Sequence, residues 1–296
     1  MVKRRHVVVL LAAAALAGCD GRRAAAERWD AEGEAMGSTW RLVMLGHAGR
    51  KEECRRMVDS VLEENERIFS TWRPDSELCR INRGLLEVGE ASASFREVLA
   101  LAVSVREASG GAFDERLGRI VRAAGFGPAL PEGGPEGAAD RPELDLSAIA
   151  KGFAVDEVCR RLRETDCDNF VFELGGEIGA VGGGADGDGW RVGVEAPDPG
   201  GRAIATVVPL LNESMATSGN YRQFLPVEGG RMFSHLIDPA SGEPVVRRPG
   251  SVTVIAGNCA LADAWATALF VIGPGEEAER MARENGLRVM WDGGGE

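Results

Sequence analysis

Two hydrophobic rhythms alternate along this chain without a regular order, and that irregularity constrains the fold more than any single motif. Strand-like runs lie at Thr39–Met44, Phe170–Leu174, Trp190–Glu195, Ala205–Leu210 and Ser251–Ile255. Amphipathic helical spacing lies at about 51–68, 94–108, 148–162 and 260–272, and Val98, Leu101, Ala102 and Val105 form one stripe of the second. The segment Leu144–Leu146 leads into the third helix, and the Gly- and Pro-rich stretch 125–142 reads as loop. A doubly wound parallel sheet requires a strict strand–helix–strand rhythm. These patterns lack it, so the expected class is α+β. No repeat or long low-complexity linker divides them, and 296 residues suffice to bury a sizeable core.

The N-terminus reads as a processing signal. Lys3, Arg4 and Arg5 form a basic region, Val7 to Ala15 an apolar stretch too short to span a bilayer comfortably, and Leu16-Ala17-Gly18-Cys19 a lipobox. We therefore expect a lipoprotein signal over 1–18, a lipidated Cys19 with a polar tether over 19–33, and one domain over 34–296. Several acyl chains on Cys19 suffice for stable anchoring where one does not. An ordinary secretory peptide with an incidental Cys is the alternative. Asp20 resembles the signal that retains some lipoproteins in the inner membrane, which places the domain on the periplasmic face. Loss of 1–18 takes three basic residues and no acidic one, moving the net charge from −12 to −15. The remaining Cys54, Cys79, Cys159, Cys167 and Cys259 form an odd set without C-x-x-C spacing, against a disulfide scaffold or a thiolate metal site. They read as small core hydrophobes, with one bridge such as Cys159–Cys167 compatible with an oxidising compartment.

The charge balance, 34 basic against 46 acidic residues with no long basic patch, argues against a nucleic-acid partner. Three constellations carry candidate chemistry. Asp263 and Thr267 lie four apart on the last helix, hence on one face, and offer two hard oxygens suited to Mg²⁺. The same pair serves equally as a capping Asp and a Thr bonded back to its own helix. A helix starting near Ser147 turns backbone N–H groups toward any anion, and Lys151 in its first turns could add a charge; a capped surface helix has the same pattern. His235, in Ser234-His235-Leu-Ile-Asp238-Pro239, is the one His among reactive polar residues and the candidate general base. It could instead order the Asp-Pro turn.

Taken in order, these and other segments resemble one family. Met36-Gly-Ser-Thr39, Ser70-Thr-Trp72 with Asp75 to Leu78 and Asn82, Gly110 to Asp114, Asp145 to Asp156, Leu174 to Glu177, Thr217 to Tyr221, Ser234 to Pro239 and Ala262 to Thr267 are similar to the FAD:protein FMN transferases, the ApbE-type periplasmic lipoproteins. The likeness runs from about Glu34 to Leu287. It implies a T-fold-related α+β architecture, with mixed or antiparallel sheets and packed helices. It also implies Mg²⁺-dependent cleavage of FAD, release of AMP, and attachment of FMN to a Thr or Ser hydroxyl of another protein. Acceptors in the family are subunits of NADH:quinone reductase and Rnf-type complexes and other FMN-binding domains. By the same likeness, Asp263, Thr267 and the Ala148 carbonyl hold Mg²⁺. Met36, Trp72, Ala112, Phe113, Asp114, Asp145, Lys151 and Ile237 line the FAD site. The incoming hydroxyl needs deprotonation or strong positioning, and on chemical grounds that task is assigned to His235, with Asp263 as rival. Arg116 stands where the family commonly has Thr, Ser147 where Gly is common, and Phe153 where Tyr is common. An FAD diphosphatase and a non-catalytic FAD-binding lipoprotein are the competing expectations.

Overall fold

The chain enters its fold through a hairpin of β1 (Arg28–Ala35) and β2 (Ser38–Leu45), turned by Met36 and Gly37 at φ 48° and 67°. The structure, a computed structural model, describes residues 27–128, 141–195, 204–220, 224–226, 232–234, 236–245 and 250–293; for 224–226 and 232–234 the backbone alone is described. Helices α1 (Lys51–Phe69), α2 (Glu77–Asn82), α3 (Ala93–Ala108), α4 (Gly118–Ala123) and α5 (Ser147–Arg163) follow. A strand-rich half comes next: β3 (Phe170–Leu174), β4 (Glu177–Val181), β5 (Trp190–Glu195), β6 (Ile204–Leu210), β7 (Ser214–Gly219), β8 (Phe224–Pro226), β9 (Met232–Ser234), β10 (Ile237–Asp238), β11 (Glu243–Pro244) and β12 (Gly250–Ala256). The chain closes with α6 (Cys259–Ile272), α7 (Glu276–Glu284) and β13 (Arg288–Gly293). A seven-stranded antiparallel sheet in the order β1-β2-β3-β4-β7-β12-β13 organises these elements, as the α+β expectation requires.

Period-two alternation gives this sheet two buried faces. Leu42, Met44, Phe170 and Phe172 turn to a core shared with α1 and α5. Their neighbours Val43, Val171, Ile178, Met215 and Ile255 turn the other way, where Trp190, Val192, Val194, Val208 and Leu210 of the β5–β6 hairpin cover them. Full burial of each such side chain is worth about 1.5–3 kcal/mol. Helix α6 is apolar on nearly every side, because it packs on α3, α5, β7 and β12 at once. Its N-terminus is held twice: Asn258 accepts the Leu261 N–H at 2.8 Å, and Asp156 of α5 accepts those of Cys259 and Ala260 at 2.7 and 2.8 Å.

Two readings change, and one element is added. β1 occupies part of the stretch expected as tether, since Arg28 to Gly33 pair with β2, and buried Trp29 and Ala31 belong to the core. The short helix α4 lies just ahead of the loop expected over 125–142, in a stretch for which no element was expected. The five described cysteines are free thiols, so Cys159 and Cys167 are not bridged. Burial raises Cys159 and pushes the Cys54 thiol up to about 12, as for inert core residues. Among the described residues no helix is long and apolar enough to cross a membrane. Cys19 and the signal segment lie outside the described residues.

Candidate active site

A cavity of about 450 Å³ opens where α5 and α6 meet the turns before α2, after α3 and around β10. Its floor is built by fixing the segment 143–147 from both sides. The Asn82 side chain makes two 2.8 Å hydrogen bonds with the Leu144 backbone, donating to its carbonyl and accepting its N–H. On the other side, Gly118 donates to the Glu143 carbonyl at 2.9 Å. A Cβ on Gly118 would sit 2.8 Å from that oxygen, so only glycine allows the approach. Asp145 then accepts the Ser147 N–H at 2.8 Å and starts α5 with its first turn toward the cavity, where Ser147, Ala148 and Lys151 line the wall.

Helix α6 supplies the opposing oxygens. Asp263 is 5% exposed and accepts the Gly152 N–H at 3.0 Å, while Thr267 Oγ1 lies 3.2 Å from Ser218 Oγ of β7. In a regular helix the Gly152 N–H points at the Ala148 carbonyl, so that carbonyl competes with a carboxylate for its donor. The contact requires glycine, because a Cβ on Gly152 would lie 2.4 Å from the Cys259 carbonyl oxygen. Burial and the charge of Glu177 push Asp263 up to about 7, against the opposing pull of Lys151 and the Gly152 N–H. Burial opposes the charge of Lys151, yet Glu177 and Asp263 outweigh it and raise its pKa above the usual lysine value.

Asp263, Thr267, Ala148, Lys151, Asp145, Asp114, Phe113, Ala112, Trp72 and Ile237 all line this one cavity. Trp72 is 70% exposed at its wall, a flat apolar surface open to a ring system. Asp114 is held in a bidentate pair by Arg116 at 2.8 and 2.7 Å, and that guanidinium keeps its carboxyl below the usual range despite burial. Met36 is not among the lining residues. It sits in the β1–β2 turn with its N–H on Glu66 and its side chain against the core. His235 lies outside the described residues.

Sequence reasoning gave no role to Glu177, Glu143 or Arg122, which also line the cavity. Arg122 clamps Glu143 at 3.1 and 2.6 Å. Glu177 follows a turn whose Gly175 and Gly176 have φ 67° and 116°, and the Gly-Gly dipeptide that permits such a turn was the legible signal.

Among the described residues no three His, Cys, Asp or Glu side chains are grouped to hold a metal. The donors present are one buried carboxylate, a hydroxyl and a carbonyl with a shared donor. Such hard oxygens suit Mg²⁺ when phosphate and water complete the shell.

Known proteins match this chain over most of its length. The profile of the ApbE family matches residues 36–291. FAD:protein FMN transferases of Haemophilus influenzae and Vibrio cholerae are each 34% identical, over 87% and 97% of this chain and 84% and 93% of theirs. Among solved structures, the flavin transferase ApbE from Vibrio cholerae superposes with a TM-score of 0.75 at 33% identity, covering 89% of this chain and 93% of that one. The Pseudomonas stutzeri flavinyl transferase ApbE, in its apo form, gives 0.72 at 31%, covering 89% and 90%.

Proposed function

The chain belongs to the ApbE family, and from that premise we propose that it is an FAD:protein FMN transferase. It moves the FMN moiety of FAD to a Thr or Ser hydroxyl of an acceptor protein, with Mg²⁺ and with release of AMP. The observation that carries this reading is the gathering of Asp263, Thr267, Ala148 and Lys151 with Trp72, Ala112, Phe113, Asp114, Asp145 and Ile237 around one cavity. Its volume falls in the range of cofactor sites.

Each group has a task. Asp263, Thr267 and the Ala148 carbonyl are the residues that would hold Mg²⁺, which supplies charge neutralisation at the diphosphate. A chain of net charge −12 opposes an anionic ligand by its overall field, so local positive charge has to be concentrated at the site. Lys151 and the N–H groups opening α5 do this. Trp72 offers a stacking face, and the Asn82 clamp keeps Asp145 and the helix start in place. In the transfer, the acceptor oxygen bonds to the FMN phosphorus, the bond to the AMP oxygen breaks, and the hydroxyl proton leaves to a base. His235 is our candidate for that base. A carboxylate that holds a cation is a poor proton acceptor, which disfavours Asp263 in the role.

We further propose that Cys19 anchors the enzyme by lipid at the periplasmic face of the inner membrane. Its acceptors there are subunits of NADH:quinone reductase or Rnf-type complexes, or other exported FMN-binding domains. The test is to incubate the chain with FAD, Mg²⁺ and an FMN-binding domain and weigh the products. A mass gain of one FMN on the acceptor is expected. Free FMN and AMP beside an unmodified acceptor would establish a diphosphatase instead.

A further inference from the structure

Glu177 opens β4 at the cavity wall and is 3% exposed. One of its oxygens pairs with the Lys151 ammonium, which is about one-third exposed. The other, Oε2, is buried and has no hydrogen-bond partner among the described residues. Folding alone does not account for this arrangement. A buried carboxylate with an unpartnered oxygen lowers stability, and the charge of Glu177 also raises both Asp263 and Glu173. What the carboxylate does achieve is local: a lysine on a flexible four-carbon stem is fixed at the wall, between α5 and the start of β4.

We infer that Glu177 is a positioning residue, whose carboxylate holds the Lys151 ammonium where it meets the anionic diphosphate of the bound dinucleotide. The inference rests on the flavin-transfer reading for the identity of that ligand. Glu177 then acts on the diphosphate in two opposite ways. Directly, its negative charge repels the ligand. Through Lys151 it organises an attraction, and a charge-assisted contact is worth more than a screened repulsion across the ammonium.

The opposite signs separate this role from a structural one. FAD affinity is measured by flavin fluorescence with Mg²⁺ and without acceptor, for wild type, Glu177→Gln, Lys151→Met and the double variant. In the wild-type background Glu177→Gln should weaken FAD binding by about tenfold. In the Lys151→Met background the same substitution should leave binding unchanged or tighten it, because only the repulsion is removed. Equal weakening in both backgrounds, or none in the wild type, would overturn the inference. Glu177→Asp keeps the charge and carries the same cycle if the glutamine variant melts early, with a smaller loss in the first background and none in the second. Wild-type chain that binds FAD but modifies no acceptor defeats the transfer reading and leaves the cycle interpretable. Chain that binds no FAD defeats both.

Discussion

Gly152→Ala probes the contact on which the whole site depends. The added Cβ would meet the Cys259 carbonyl oxygen at 2.4 Å, its carbonyl carbon at 2.7 Å and Ala260 Cα at 2.8 Å. All three are backbone atoms in a helix start already tied down by Asp156 and Asn258. Ordinary contact begins near 3.4 Å, so α5 and α6 must separate by about 1 Å. Alanine improves helix propensity by about 1 kcal/mol. Against that, overpacking costs about 1–3 kcal/mol, and stretching the Gly152–Asp263 hydrogen bond removes a further ~1.5–3 kcal/mol. The net loss of about 1.5–5 kcal/mol corresponds to a melting temperature lower by roughly 3–20 °C in a domain of this size. The same shift displaces Asp263 and Thr267 from Ala148 and Lys151, and a misplacement of ~1 Å can cost about 10²-fold in rate. Circular-dichroism melts and acceptor flavinylation well below both melting points measure the two effects separately. A variant as stable as wild type, with transfer within about twofold, would refute the close α5–α6 crossing and the site built on it.

Two further outcomes follow from the buried charges. Asp263→Asn keeps an acceptor for the Gly152 N–H and removes a charge that Glu177 opposes; the metal-free variant should gain about 1 kcal/mol while losing transfer. Mg²⁺ should raise the melting temperature of wild type at pH 8 and not of the variant, and an equal rise in both would refute the metal assignment. The pH dependence has an unusual sign. Asp263 and Glu173 are pushed up to about 7 and Asp156 to about 6, chiefly by burial. Between the unfolded values near 4 and these, the folded chain binds more protons than the unfolded one, so stability should rise by at least ~1 kcal/mol as pH falls from 8 to 5. It should fall again at lower pH, where Asp114 and Glu63, held below their usual values by arginine hydrogen bonds, take up protons. A melting temperature that declines steadily from pH 8 downward would contradict the burial of all three groups.

What the sequence made legible follows from how local each signal is. The long helices emerge within a residue or two, because an apolar stripe and a side-chain cap are both short-range: Ser92 accepts the Phe95 N–H, and Asn258 that of Leu261. Short elements were missed where nothing local marks them. β1 follows a small-residue-rich stretch and becomes a strand by pairing with β2. The six-residue α4 starts at a glycine that is held by the Glu143 carbonyl. The site divides in the same way. Asp263 and Thr267 are visible as a pair because helical spacing alone puts them on one face, but their meeting with α5 spans 111 positions between Gly152 and Asp263. The Asn82 clamp spans 62 positions and the Lys151–Glu177 pair 26. Contacts of that separation have no periodicity to reveal them; they exist because an antiparallel sheet brings β4, β7 and β12 side by side beneath two crossing helices. Ordered motifs can therefore identify the family and nominate residues that touch a ligand. Glu177 stands in one of those motifs, but the motif gives it no role: its proposed role lies in its contact with Lys151, which is found only once the chain is folded.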